Sequence, residues 1–154
     1  MQAEANFEAS LDQAYKAREM RLGANWFLWI SIASVVHSLI VYFFATPGMA
    51  FGLGVNHYID NNVTLASFEG KNVGGLLINL AIAGVFAGFG YLARRGNDAA
   101  FIVGMFLYVF DLVVVLGYSD YWGAGIHFLV LFFLFKGLLA SRRRYDPSVD
   151  ATGA

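Results

Sequence analysis

The sequence has no cysteine, two prolines and few charged residues. The missing cysteines exclude disulfides, thiol redox chemistry and cysteine-ligated zinc or iron–sulfur centres. Charged residues make up 14% of the chain, whereas a soluble domain carries about a quarter. The net charge is −1, and no basic stripe exists away from the predicted membrane flanks, which argues against nucleic acid as a partner.

Apolar residues are abundant instead: they make up 58% of the chain, which contains 15 phenylalanines. Four runs are long enough to cross a bilayer as helices of about 20 residues. They cover residues 26–46, 73–93, 99–118 and 121–140. The sequence therefore predicts an all-α, multi-pass membrane protein, an antiparallel bundle of four transmembrane helices in contact with the lipid bilayer.

Polar segments flank the predicted transmembrane domain, which comprises residues 25–140 with an outer loop at 47–72. In residues 1–24, Phe7, Leu11 and Tyr15 recur near helical spacing, which predicts an amphipathic helix, either solvated or lying in the membrane interface. Residues 141–154 begin with a basic stop and are predicted to end in a disordered tail.

Basic residues indicate the orientation of the chain. If four helices are threaded in order, a single basic residue, Lys71, falls on one side. The other side holds Lys16, Arg18, Arg21, Arg94, Arg95, Lys136 and Arg142–Arg144. Because Lys and Arg concentrate on the cytoplasmic side, we expect both termini to be cytoplasmic, in a membrane such as the bacterial inner membrane.

Each predicted span carries one strongly polar residue at a similar depth, about 9–14 Å from its outer end. These residues are His37, Asn79, Asp111 and His127, and within reach of their layer lie Tyr108, Ser34 and Ser38. An Asp near the bilayer centre costs on the order of 3 kcal/mol. We therefore expect Asp111 to face the interior, with His127, one short hairpin away, as its partner.

Several interpretations of this layer are open. It can be a structural network that fixes helix pairing, or a proton or cation relay, since intramembrane His and Asp mark such paths. His37, Asp111 and His127 would suit a divalent metal. His37 and His127 could also be axial ligands of haem b, and Asp111 with His127 could act as acid and base in an intramembrane enzyme.

Two further features bear on function. His57 and Asp60, at i, i+3 spacing in the outer loop, would suit two ligands on one helical turn, but we expect them to be solvated. Gly84 and Gly88 form a G-x-x-x-G pair in the second span. Small residues at this spacing let helices pack closely, either within the monomer or at a dimer seam.

Two hypotheses of function follow from these features. A phosphate loop, a nucleophile elbow and an H-E-x-x-H motif are all missing, so an enzyme is not favoured. The first hypothesis is a small membrane protein that moves or senses a proton or cation through the polar layer. The second is a non-catalytic accessory or assembly subunit of a larger membrane complex or homo-oligomer.

Overall fold

The computed structural model describes residues 2–44, 53–62, 65–68 and 71–143. This part of the chain is almost entirely helical, with α1 (Gln2–Phe44), α2 (Gly54–Asn62), α3 (Val73–Arg94), α4 (Asp98–Gly117) and α5 (Tyr121–Arg143). Two short strands, β1 (Ser67–Phe68) and β2 (Lys71–Asn72), pair antiparallel between α2 and α3. Outside the described residues lie the predicted end of the first span (45–46), parts of the outer loop (47–52, 63–64 and 69–70) and the C-terminal tail from residue 144.

Four helices, α1, α3, α4 and α5, are long and apolar enough to cross a membrane. The structure thus confirms an all-helical protein with four helices of membrane-spanning length. Many large apolar side chains on these helices are exposed in the isolated chain, among them Phe106, Phe128 and Phe132. Such surfaces suit contact with lipid, because lipid tails are as apolar as the side chains themselves.

Helix α1 joins two segments that the sequence predicted separately. The predicted amphipathic helix and the first span form one 43-residue helix, which is about 65 Å long at 1.5 Å per residue. No proline interrupts it, and Gly23 is buried against α5 rather than ending the helix. Phe7, Leu11 and Tyr15 are exposed, so the N-terminal part of α1 presents its apolar side chains outward.

Side-chain caps start three of the helices. Asn72 accepts a hydrogen bond from the Gly75 amide at the start of α3, and Asn97 accepts one from the Ala100 amide at the start of α4. At the start of α5, the Asp120 carboxylate accepts one from the amide of Gly123. Such caps satisfy the amides that a helix N-terminus leaves without an intrahelical partner.

The four long helices pack around an apolar core. Helix α1 contacts α3 and α5, and α4 contacts the same two helices. Phe27 is fully buried at the centre, with its ring centroid 6.0–6.4 Å from those of Phe86, Phe89 and Phe101. A Cβ on Gly104 would approach the Phe27 ring to 2.6 Å, so this ring needs a glycine opposite it on α4.

Helices α1 and α5 approach closely at a glycine pair that the sequence did not single out. A Cβ on Gly23 of α1 would lie 2.5 Å from the Gly137 Cα of α5. By contrast, a Cβ on Gly84 or on Gly88 would have no described atom within 4 Å. The G-x-x-x-G pair therefore faces outward from the described residues, and none of these residues packs against the two glycines.

An ion pair ties α1 to α5 near the end that carries most of the basic residues. The Lys136 ammonium lies 2.9 Å from a Glu19 carboxylate oxygen. This hydrogen bond lowers the pKa of Glu19. Exposed pairs of this kind contribute little to stability, so we regard the contact as a marker of which helix ends lie side by side.

Candidate functional site

The short helix α2, which belongs to the predicted outer loop, packs against α1, α3 and α4. Its approach depends on Gly54, where a Cβ would lie 2.5 Å from the Val115 side chain. Leu53, just before the helix, and Ile59 are buried. Burying these apolar groups brings the polar residues of α2 onto the polar residues of the spanning helices.

The first polar cluster is the pair of Asp111 and His127. His127 Nε2 lies 2.8 Å from Asp111 Oδ2, and both side chains are almost completely buried. The ring of Tyr108 stacks on the His127 imidazole, with centroids 4.5 Å apart and an interplanar angle of 11°. Three residues of the predicted layer, from α4 and α5, are therefore in direct contact.

Asp111 also holds the N-terminus of α2. The amide of Gly54 donates to Asp111 Oδ2 at 2.9 Å, and the amide of Val55 donates to Oδ1 at 2.8 Å. These two amides are among those that an α-helix leaves unpaired at its N-terminus, where the helix dipole also favours negative charge. A carboxylate of α4 thus serves as the cap of a helix more than fifty residues earlier in the chain.

The hydrogen bonds of His127 define its protons. Nδ1 lies 2.8 Å from the carbonyl oxygen of Gly123, which can only accept, so Nδ1 carries a hydrogen. One further proton must lie between Nε2 and Asp111. Wherever it resides, the pair has no net charge. The amides of α2 donate to both oxygens of Asp111, and its contact with His127 has the geometry of an ion pair.

The second cluster joins α1, α2 and α3. Asn79 is fully buried, and its amide nitrogen donates to Asp60 Oδ1 at 2.8 Å. His37 Nε2 lies 3.9 Å from the other carboxylate oxygen, Asp60 Oδ2, with 5% of the His37 side chain exposed and 12% of that of Asp60. The expectation that Asp60 is solvated is therefore corrected, because α2 turns this carboxylate toward the spanning helices.

Four buried polar atoms around this cluster have no hydrogen-bond partner within the described residues. They are His37 Nε2, Asn56 Oδ1, Asp60 Oδ2 and Asn79 Oδ1. The 3.9 Å between His37 and Asp60 is too long for a direct hydrogen bond. Native proteins pair most of their buried polar atoms, so four unpaired atoms on α1, α2 and α3 distinguish this cluster from the fully bonded Asp111–His127 pair.

Asn56 is a site residue that the sequence did not reveal. Its amide nitrogen donates to Ser34 Oγ and, at 3.3 Å, to Ser38 Oγ. Ser38 in turn donates to the Ser34 carbonyl oxygen at 3.0 Å. A signal for Asn56 was present, since it stands four residues before Asp60 and so shares its helical face.

The predicted layer is thus divided between two clusters bridged by α2. His37 meets Asp60 and not the Asp111–His127 pair, so the proposed metal ligands His37, Asp111 and His127 do not form one set. Among the described residues, no group of three or more such side chains is arranged to hold a metal ion. Both ring nitrogens of His127 are already hydrogen-bonded, so neither is free to ligate haem iron.

The environment of Asp60 changes its acidity. Burial raises the pKa of this carboxyl, although the hydrogen bond from Asn79 and the nearby His57 act in the opposite direction. The His57 ring packs edge-on against Tyr118, with centroids 4.9 Å apart. Asp60 is therefore a buried carboxyl that holds its proton to higher pH than an exposed aspartate does.

Comparison with known proteins does not extend this description. The chain matches no protein-family model, and no curated protein or solved structure is significantly similar to it.

Proposed function

We propose that this integral membrane protein handles a proton or small cation, in transport, relay or sensing, through the buried residues beneath α2. The observation that carries the proposal is the His37–Asp60 pair. The buried atoms His37 Nε2 and Asp60 Oδ2 lie 3.9 Å apart, so no direct hydrogen bond joins the imidazole to the carboxyl. Intramembrane His and Asp residues mark proton and ion paths in other membrane proteins.

The two clusters have different roles in this proposal. Asp111 and His127 neutralise one another and are saturated with hydrogen bonds, so they anchor α2. His37 and Asp60 keep one unpaired atom each and are the groups that exchange a proton. Imidazole and carboxyl groups both gain and lose protons, and burial raises the pKa of the Asp60 carboxyl.

The proposed arrangement in the membrane is an antiparallel four-helix bundle with both termini in the cytoplasm. Contacts between the basic residues and α1 support it. Arg94 donates to Asn25 at 2.8 Å and Lys136 pairs with Glu19 at 2.9 Å, so these basic residues lie at one end. Lys71 lies 5.3 Å from the Tyr42 ring, near the other end of α1. The positive-inside rule then places α2 on the outer side.

Substitution of His37 tests the proposal. In proteoliposomes carrying a pH-sensitive dye, we expect the wild type to raise proton flux above that of protein-free liposomes. We expect His37→Gln to lower this flux about 100-fold, the scale on which a positioned proton-transfer group acts. The control is Asn62→Gln, at an exposed position of α2 outside the predicted layer, which should retain flux. Equal flux from the wild type and His37→Gln, both folded, would contradict the proposal.

A second candidate function, an accessory or assembly subunit, draws on the outward-facing Gly84 and Gly88 of α3. Their open surroundings allow another transmembrane helix, from a second copy or from a larger complex, to approach closely. We expect the double substitution to Leu to abolish native association, measured by crosslinking in the membrane. Gly125→Leu, at an outward glycine of α5, is the control. A native protein that is monomeric in the membrane would reject this candidate.

A further inference from the structure

Three of the four unpaired atoms in the second cluster are oxygens of amides or of a carboxylate. The amide nitrogen of Asn79 is used by Asp60, and that of Asn56 is used by Ser34 and Ser38. On each of these two amides the oxygen is the atom without a partner, and one oxygen of the Asp60 carboxylate is likewise unpaired. Amide and carboxylate oxygens accept hydrogen bonds and coordinate cations. The missing partner is therefore a hydrogen-bond donor or a cation rather than an anion.

The separation of His37 and Asp60 suits a single small bridging species. A partner about 2.8 Å from each of two atoms can bridge His37 Nε2 and Asp60 Oδ2, which are 3.9 Å apart. Asn79 is bonded to the opposite oxygen of the same carboxylate, and its own oxygen is buried without a partner. Asn56 lies one helical turn before Asp60, on the same face of α2.

The charge balance limits the species to one positive charge. Asp111 is neutralised by His127 and by the N-terminus of α2, which leaves Asp60 as the carboxylate of the layer without a bonded positive partner. A divalent ion would leave an uncompensated charge in a buried place, at a high cost. We propose that His37, Asn56, Asp60 and Asn79 bind one compact monovalent cation, either a proton carried by His37 or Asp60 or Na⁺, between α1, α2 and α3. This inference rests on the proposed function and names its site and its ligand.

The two species would compete for the same oxygens. The titratable groups that surround Asp60 are His37 on α1, His57 on α2, and Tyr118 beside His57 on α4. The Asp111–His127 pair lies at the other end of α2, and α3 contributes the uncharged Asn79. A proton on His37 or Asp60 offsets the negative charge that would hold Na⁺, so low pH favours the bound proton and high pH favours Na⁺.

The pH dependence of stability has a defined sign. Because the pKa of Asp60 is raised in the folded protein, the folded state binds more protons than the unfolded state over a range that starts at about pH 4, the ordinary aspartate value. Stability contributed by this group is complete below that range and is lost as the pH rises through the pKa of Asp60. Bound Na⁺ would restore stability above that pKa.

The experiment compares thermal unfolding of the full chain in nanodiscs between pH 4 and pH 8, in NaCl and in choline chloride of equal ionic strength. The variants are Asp60→Asn and, as control, Asp120→Asn, where asparagine can still cap α5. If the ligand is Na⁺, we expect NaCl to raise the melting temperature of the wild type by about 3 °C or more at high pH. If the ligand is the proton, we expect the melting temperature to fall with rising pH by the same amount in NaCl and in choline chloride. We expect the melting temperature of Asp60→Asn to lose this dependence on NaCl or pH, and that of Asp120→Asn to keep it.

Identical responses of the wild type and Asp60→Asn to both pH and Na⁺ would overturn the site. If Asp60→Asn does not fold, the His37 ring signals of the wild type in nitrogen NMR decide. We expect them to shift with pH or Na⁺, and signals unmoved by either would also overturn the site. These are equilibrium measurements, so their failure is distinguishable from failure of the proposed function. Flux that depends on His37 can persist without this site, and binding can occur without flux.

Discussion

Asp111→Leu is expected to destabilise the protein by about 3–5 kcal/mol, because removing one partner of a buried ion pair leaves the other unpaired. The substitution removes the acceptor of His127 Nε2 and the cap of the Gly54 and Val55 amides. Equilibrium unfolding in detergent micelles, followed by circular dichroism, measures the loss. We expect α2 to detach first, which protease cleavage near its N-terminus would report.

A double-mutant cycle separates the ion pair from the cap. His127→Leu leaves the carboxylate with its two amide donors, so its loss of stability should be the smaller one. In the double variant neither member of the pair remains. We expect its loss in free energy of unfolding to be about 0.5–3 kcal/mol smaller than the sum of the two single losses. Strict additivity would contradict the coupling of Asp111 with His127, and a stable Asp111→Leu variant would contradict the capping of α2 by Asp111.

Alanine at Gly23 or at Gly137 is expected to cost about 1–3 kcal/mol, the usual range for overpacking. The added Cβ would lie 2.5 Å or 2.8 Å from the Cα of the opposite glycine. Backbone atoms cannot move aside as a flexible side chain does, so α1 and α5 must separate. The loss should appear in the unfolding midpoint of each variant.

Gly84→Ala and Gly88→Ala are the matched controls for this prediction. Neither added Cβ meets a described atom, and alanine is favoured over glycine in a helix by about 0.5–1 kcal/mol. We therefore expect these variants to be as stable as the wild type or more stable. Greater destabilisation at Gly84 than at Gly23 would contradict the packing described for α1, α3 and α5.

The number and length of the spanning helices were predictable, because lipid demands long uninterrupted apolar runs. The predicted span 73–93 and the observed α3, Val73–Arg94, differ by a single residue at one end. The continuity of α1 was not predictable, since the polar composition of residues 2–22 indicates only that this part leaves the membrane. Whether the helix continues there depends on the contact of Gly23 with Gly137, which is more than a hundred residues away.

The candidate site was predictable in part. The short hairpin between α4 and α5 placed Asp111 and His127 at matching depth, and the structure brings them together at 2.8 Å. The partner of His37 was not predictable from depth alone. It is Asp60, which belongs to a loop helix, and no periodicity in the spans indicates how far a loop inserts between them.

Composition and helix length alone fix how many helices are long and apolar enough to cross a membrane, and which side chains are too costly to face lipid. Only the folded chain shows which partner each of those side chains has. That choice depends on the position of α2, and α2 is held by contacts from residues far away in the chain, the Asp111 carboxylate at its N-terminus and Asn79 at Asp60.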